Sequence, residues 1–404
     1  MHDTGAGAGL AGVGVPARAA CVLAACLWAV CLCICGPAWA RDTAPGVTAP
    51  QAVLEPPPLR IAAIFALTGD VAANNAPSMA GVRMGVGEVN RRGGVLGRRL
   101  ELISLDNFGS SIGSMKAAKE AAELNVAAII GPAWSSHAMA VARVAQERGI
   151  PMITNIATHP DVTATGDYVF RACYTDAFQG RILAEFAHGA LDARTAAMAV
   201  DVTSDFSIGL AEQFRTSFEA QGGAILQERI YKRTQESYAE LAAGLGRPDS
   251  DVCLIPGHDE SGAIVHRMQE AGTVCIPLGG DGWVGETFLR RGGRLMRRGY
   301  YCTHWHPDSD SPVSRDFVQH YGKLAQLSGD MALAYDAVLL LADAVERAGA
   351  VEHRAIRDAL AATRGFEGVT GSFTFNEQGD PVKAAVILEI EHGRTRLLER
   401  VEPN

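Results

Sequence analysis

From Leu59 onward the chain alternates short apolar runs with amphipathic stretches that end near glycine, which predicts a strand-helix rhythm. Leu59 to Leu67 reads as a strand, Pro77 to Asn90 as a helix closed by Arg91-Arg92-Gly93-Gly94, Leu100 to Leu105 as a strand and Ile112 to Leu124 as a helix. Val126 to Ile130, Ala138 to Arg148 and Pro151 to Asn155 repeat the unit. A second set starts with a strand at Tyr168 to Cys173, then helix Phe178 to Leu191, strand Ala196 to Val200, helix Ser207 to Gln221 and strand Ala224 to Tyr231. It runs on through helix Tyr238 to Leu245, strand Val252 to Pro256, helix Gly262 to Ala271 and strand Val274 to Leu278.

Strands that are apolar on both faces belong in a parallel sheet covered by helices on either side. One architecture thus occurs twice, and the fold class predicted is α/β, with two Rossmann-like doubly wound lobes joined by a three-crossing hinge. The crossings are expected near Cys173, Thr303 and Phe373, the last carried by a strand Gly371-Ser372-Phe373-Thr374-Phe375 that returns the chain to the second lobe. Residues 59–172 with 303–372 make the first lobe and residues 173–302 with 373–404 the second. A crevice between two such lobes is a usual place for a small ligand.

The pattern before Leu59 is different. Ala19 to Cys35 is uncharged and apolar, too short for a membrane span of about 20 residues, and Ala38-Trp39-Ala40 places small residues where a signal peptidase cuts. Residues 1–40 are expected to be an export signal cleaved after Ala40, with an uncleaved anchor as the alternative, and residues 41–58, ending in Glu55-Pro56-Pro57-Pro58, a stiff linker. The expected location is the periplasm.

Composition narrows the functions. With 48% hydrophobic and 20% charged positions in 404 residues, the chain is long enough for two ordinary domains and too apolar for disorder. A net charge of -9 argues against electrostatic capture of nucleic acid or of an anionic membrane. Of nine cysteines, those outside the signal are Cys173, Cys253, Cys275 and Cys302; their spacing is not that of a zinc site, so no metal is expected, and their pairing in an oxidising compartment stays open.

In doubly wound sheets ligands meet the loops at the carboxyl ends of strands, where helix N-termini offer free N–H groups. Val126 to Ile130 runs into Gly131-Pro132-Ala133-Trp134-Ser135-Ser136-His137, and Pro151 to Asn155 into Ile156-Ala157-Thr158-His159-Pro160. The hydroxyls of Ser135, Ser136 and Thr158 at these helix starts suit a carboxylate, although each alone could be a plain N-cap. From the second set, Pro256 leads into Gly257-His258-Asp259-Glu260, and Leu278 into Gly279-Gly280-Asp281-Gly282-Trp283. Asp281, flanked by glycines, has room to meet a ligand cation, where the ordinary alternative is a turn-forming Asp.

These residues resemble the periplasmic leucine/isoleucine/valine-binding proteins of ABC transporters, with the type I periplasmic binding fold. The resemblance covers residues 59–400 and rests on Ile64-Phe65-Ala66-Leu67-Thr68-Gly69, Ile129-Ile130-Gly131-Pro132, Thr154 to Pro160, and Gly279 to Trp283. Phe170-Arg171, Asp176, Gln179-Gly180 and Tyr335-Asp336-Ala337 match further. It implies that Ser135 and Thr158 bind the ligand carboxylate, that the Ile156 carbonyl beside Ala157 receives the ammonium, and that Asp281 is the ammonium-binding acid. The ligand-lining aromatic positions fall on Asn74, Phe206 and His258, with Trp134 just before the serine. Because Asn74 and His258 are polar, a polar or larger amino acid or an amide-like relative carries equal weight with an aliphatic one.

The implied function is an extracytoplasmic solute-binding protein, a monomer that captures an amino acid or related zwitterion and delivers it to a membrane ABC permease. No cofactor and no nucleic acid enter this reading. The alternative is a ligand-sensing receptor module feeding a signalling partner. Against an enzyme, the chain has no Gly-x-Ser-x-Gly elbow, no His-Glu-x-x-His and no Walker loop. Ser135-Ser136-His137 has no acid placed to orient the imidazole, and His304-Trp305-His306 reads as ordinary histidines rather than metal ligands.

Overall fold

Ile61, Ala62, Ala63, Ile64 and Phe65 are all sealed from solvent, odd and even positions alike, so the strand that carries them is covered on both faces. The computed structural model describes residues 56–324 and 326–403. The expected signal and most of the linker therefore lie outside the described residues. No helix among the described residues is long and apolar enough to cross a membrane.

The first lobe is built from β1 (Leu59–Phe65), α1 (Ala72–Arg91), β2 (Leu100–Asp106), α2 (Ser111–Glu123), β3 (Ala128–Ile130), α3 (Ser135–Arg148), β4 (Met152–Thr154) and β5 (Val169–Arg171). Its sheet runs β2-β1-β3-β4-β5, every pair parallel. Ile61, Ala63 and Phe65 face one core layer, while Ala62 and Ile64 face the other beneath α2 and α3.

The second lobe repeats the plan with α4 (Asp176–Gly189), β6 (Thr195–Asp201), α5 (Asp205–Ala220), β7 (Ala224–Tyr231), α6 (Ala239–Leu245), β8 (Val252–Leu254), α7 (Glu260–Glu270), β9 (Ile276–Gly279), α8 (Glu286–Arg290) and β10 (Gly299–Thr303). The chain then forms α9 (Pro312–Tyr321), α10 (Gly329–Ala348), α11 (His353–Ala361), β11 (Phe366–Gly368), β12 (Gly371–Phe375), β13 (Pro381–Val382), β14 (Ala385–Glu391) and β15 (Arg394–Val401). The larger sheet runs β7-β6-β8-β9-β10-β14-β15, with β14 and β15 added antiparallel.

Two expectations change. The strand at Tyr168 to Cys173 does not open the second set: Val169–Arg171 pairs with β4 and closes the first sheet. Nor does Gly371–Phe375 enter the second lobe. It pairs with β11 and β13 in a small three-stranded sheet, and Phe375 packs on Phe170 in the first core, so the third crossing comes later, between β13 and β14. Lys383 sits at that crossing, buried, its Nζ donating to the Ala172 carbonyl at 3.1 Å and to Thr370 Oγ1. The third crossing is thereby tied to the first.

Helix α10 returns to the first lobe and runs beside α1 in the same direction. A Cβ at Gly81 would lie 2.1 Å from the Met331 carbonyl oxygen, so only glycine allows the two helices this close. The contact brings the start of α1, with Asn74, and the start of α10, with Asp330, to the mouth of one cleft. Helix α1 begins at Ala72, five residues before the proline from which the sequence predicts it.

Candidate functional site

The first-lobe wall is made by two strand ends. After Ile130 the chain turns through Gly131, at φ +89°, where a Cβ would meet the Ile64 carbonyl at 2.7 Å. Trp134 then stands at the N-cap of α3 and makes no side-chain cap, so the first-turn N–H groups point out of the helix without one. Thr154 Oγ1 donates to the Pro132 carbonyl at 2.6 Å, which holds the β4 loop against this turn. On that loop, the Thr158 hydroxyl is buried beside the Asp176 carboxyl, whose charged form it favours, while Ser135 Oγ accepts from the His159 N–H at 3.3 Å.

The second-lobe wall centres on Asp281. Gln179 donates from Nε2 to Asp281 Oδ1 at 2.9 Å and accepts from the Asp281 N–H at 2.7 Å. His304 Nε2 lies 3.1 Å from Oδ2. Burial lowers the proton affinity of His304 although Asp281 favours its charged form. Gly282 is required beside it, because a Cβ would lie 2.3 Å from the Gly257 carbonyl. A carboxylate can accept about four hydrogen bonds, so two partners leave Asp281 capacity to receive a ligand donor.

The two walls enclose a cavity of about 140 Å³, lined by Asn74, Trp134, Ser135, Ile156 and Thr158 from one side and Phe206, His258 and Asp281 from the other. Eight of the ten residues expected from the sequence thus meet at one place. Ser136 and Ala157 do not line it. Ser136 faces a neighbouring groove, its carbonyl accepting from Ser111 Oγ at 3.2 Å. The Ala157 carbonyl is taken by Arg171 Nη1 at 2.7 Å and by the Cys173 thiol at 3.4 Å.

Side chains also bridge the cleft directly. Trp134 stacks on His258, which stacks in turn on Phe206 at 5.1 Å, and the Arg233 guanidinium lies 4.9 Å above the Trp134 ring. Asn74, expected among ligand-lining positions, donates its amide to Asp259 Oδ1 at 3.0 Å. Burial works against the Asp259 charge, but Arg233 and Arg291, each 2.7 Å away, outweigh it and bring the group to about 2. Burial, aided by His258, pushes His137 down to about 4, and burial likewise pushes His258 itself down.

Sequence reasoning missed Asp330 and Ser328 at the start of α10, and Glu286, Thr287 and Arg290 of α8, all of which line the cavity. Ser328-Gly329-Asp330 carries only the signal of a helix start, and Ser328 does cap α10 by accepting from the Met331 N–H. Burial and the Asp281 charge raise Asp330 to about 7. The sequence marks His304 as an ordinary histidine, and its contact with Asp281 has no local signal. Among the described residues no group of three or more His, Cys, Asp or Glu is placed to hold a metal ion.

A doubly wound pair of lobes with a cavity between strand ends matches the family model for periplasmic binding proteins over residues 58–395. The chain belongs to that family. Among curated relatives of this periplasmic binding protein is a Leu/Ile/Val-binding protein homolog of Brucella melitensis, 26% identical over 80% of this chain and 88% of its own. Another is a leucine-, isoleucine-, valine-, threonine- and alanine-binding protein of Pseudomonas aeruginosa, 25% identical over 80% of this chain and 87% of its own. The crystal structure of the leucine-binding protein LivK from Thermotoga maritima superposes with TM-score 0.81 at 29% identity, covering 85% of this chain and 99% of that one. LivJ from Streptococcus pneumoniae, solved with isoleucine, gives 0.80 at 27%, covering 86% and 100%. The fold is therefore the type I two-lobed fold, and the protein is a solute-binding protein.

Proposed function

We propose that this solute-binding protein captures an amino acid between its lobes and hands it to a membrane ABC permease. The observation that carries this reading is the pairing within one cavity of hydroxyl and helix-start donors on one lobe with a buried carboxylate on the other. The Thr158 hydroxyl, the Ser135 hydroxyl and the uncapped first turn of α3 suit a ligand carboxylate. Asp281 and the Ile156 carbonyl suit its ammonium. The printed names of the relatives, leucine-, isoleucine- and valine-binding proteins, support the same ligand class.

A ligand that touches both lobes is bound more tightly by the closed arrangement and so favours it. The closed shape is what the permease reads. The protein works outside the cytoplasm as a monomer, after removal of residues 1–40. A thermal-shift screen of the chain from Arg41 against the common amino acids tests this: a ligand at 100 times its dissociation constant adds about 2.7 kcal/mol. A rise with at least one amino acid supports the reading, and no rise with any of them refutes it.

A further inference from the structure

Among the carboxyl groups that line the cavity, Asp330 is the one matched by nothing beyond its own backbone N–H. It lines the cavity beside Asp281, and its Oδ1 is closed to solvent without a hydrogen-bond partner. Its place is fixed by the close packing of α10 on α1 and by Asn155, whose Nδ2 donates to the Asp330 carbonyl at 3.4 Å. The other acids of the lining are matched. Asp281 has Gln179 and His304, and Glu286 is paired with Arg294. Arg290 is the one arginine or lysine in the lining, and its side chain is exposed.

The interior therefore holds two carboxyl groups and no buried cation. A zwitterion held by Ser135, Thr158 and Asp281 satisfies one of them. The rest of the lining includes the start of α1, with Asn74 and Pro77, and the start of α10, with Ser328 and Asp330. An aliphatic side chain placed there would keep Oδ1 dry and unpartnered, which is costly. A nitrogen donor would supply the missing hydrogen bond, most strongly if charged.

Resting on the amino-acid reading above, we infer that the cavity selects an amino acid whose side chain ends in a cationic nitrogen, with Asp330 as the group that accepts it. Ornithine, lysine and arginine are the ligands of this class, in place of leucine, isoleucine and valine. A site built to hydrogen-bond a ligand group discriminates strongly against an analogue that lacks it. Asp330 is then a specificity-determining residue, and Asp281 serves the ammonium common to all amino acids.

Calorimetric titration of the chain from Arg41 with ornithine, lysine, glutamine and leucine, repeated on Asp330→Asn and Asp330→Leu, tests the inference. Ornithine or lysine is expected to bind at least roughly tenfold tighter than leucine and glutamine. Asp330→Asn is expected to lose roughly tenfold for the basic ligand while holding leucine within about twofold, and Asp330→Leu to reverse the order. Leucine or glutamine binding wild type more tightly than both basic amino acids would overturn the inference and leave amino-acid capture standing. Binding of none of the four, with no response to any other amino acid, would overturn both. The wild-type order alone decides if a variant does not fold.

Discussion

Trp134 of the first lobe and His258 of the second stack face to face, 4.7 Å between ring centres and 10° between planes. The pair closes a column of rings, with His137 behind Trp134 at 5.4 Å and Phe206 behind His258, so the lobes meet through aromatic faces as well as through Asn74 and Asp259. An aromatic pair contributes about 0.5–1.5 kcal/mol beyond its buried area, and the Arg233 guanidinium over Trp134 about as much again. Trp134→Ala is expected to weaken ligand binding roughly tenfold by favouring the open arrangement. Calorimetry gives the affinity, and small-angle scattering would show a larger radius at subsaturating ligand.

The same column makes closure sensitive to acid. His137 and His258 both have their proton affinities lowered, chiefly by burial. A base depressed in the closed form opposes closure once its open-form value is passed from above, so binding is expected to weaken progressively from about pH 6.5 toward about pH 4. The measurement is the dissociation constant of a non-titrating amino acid across that range. A flat profile would mean that neither ring loses solvent on closure.

Asp176, the first residue of α4, is buried, and burial raises it to about 8 against the opposing pull of the Thr158 hydroxyl beside it. Its folded-state value is raised, so its contribution to stability is complete below its unfolded value of about 4 and is lost as pH rises through about 8. Asp176→Asn removes that slope. The variant is expected to gain about 2 kcal/mol on wild type between about pH 6 and about pH 8.5, read from denaturant midpoints at the two values.

Cys253 and Cys275 form a disulfide that clips β8 to the residue just before β9, whereas Cys173 and Cys302 are free and buried. Burial pushes both free thiols up to about 12, which keeps them protonated and unreactive. Thiol counting on the chain from Arg41 is expected to find none in the native state, two after unfolding and four after unfolding with reductant. The 22-residue separation sets a stabilisation of about 3 kcal/mol, which a Cys253→Ser, Cys275→Ser double variant should lose.

How much of this was legible in the sequence follows from where the information sits. Strands such as β1 and β3 are readable because every position but Arg60 is apolar, the mark of a strand covered on both faces. Asp281 and Ser135 are readable because each stands at a strand end beside glycine or a helix start. Beyond Leu278 the pattern fades: β15 carries three arginines and an exposed edge, and β12 closes a small sheet that no local signal distinguishes from the large one. Ser136 and Ala157 sit one residue from positions that do line the cavity, and one step along a helix start or loop turns a side chain away. Asp330, 49 residues after Asp281, reaches the cavity only because α10 packs on α1, a contact no sequence pattern announces.

The central claim is that Asp281 and the Ser135 wall hold opposite ends of one amino acid, and calorimetric titration of Asp281→Ala and Ser135→Ala with the amino acid that stabilises wild type tests it most directly. Asp281→Ala is expected to lose about 2–5 kcal/mol of binding free energy, because a desolvated charge loses its partner. Ser135→Ala should lose about 0.5–1.5 kcal/mol, since the first turn of α3 and Thr158 remain. Wild-type affinity in Asp281→Ala would contradict the account.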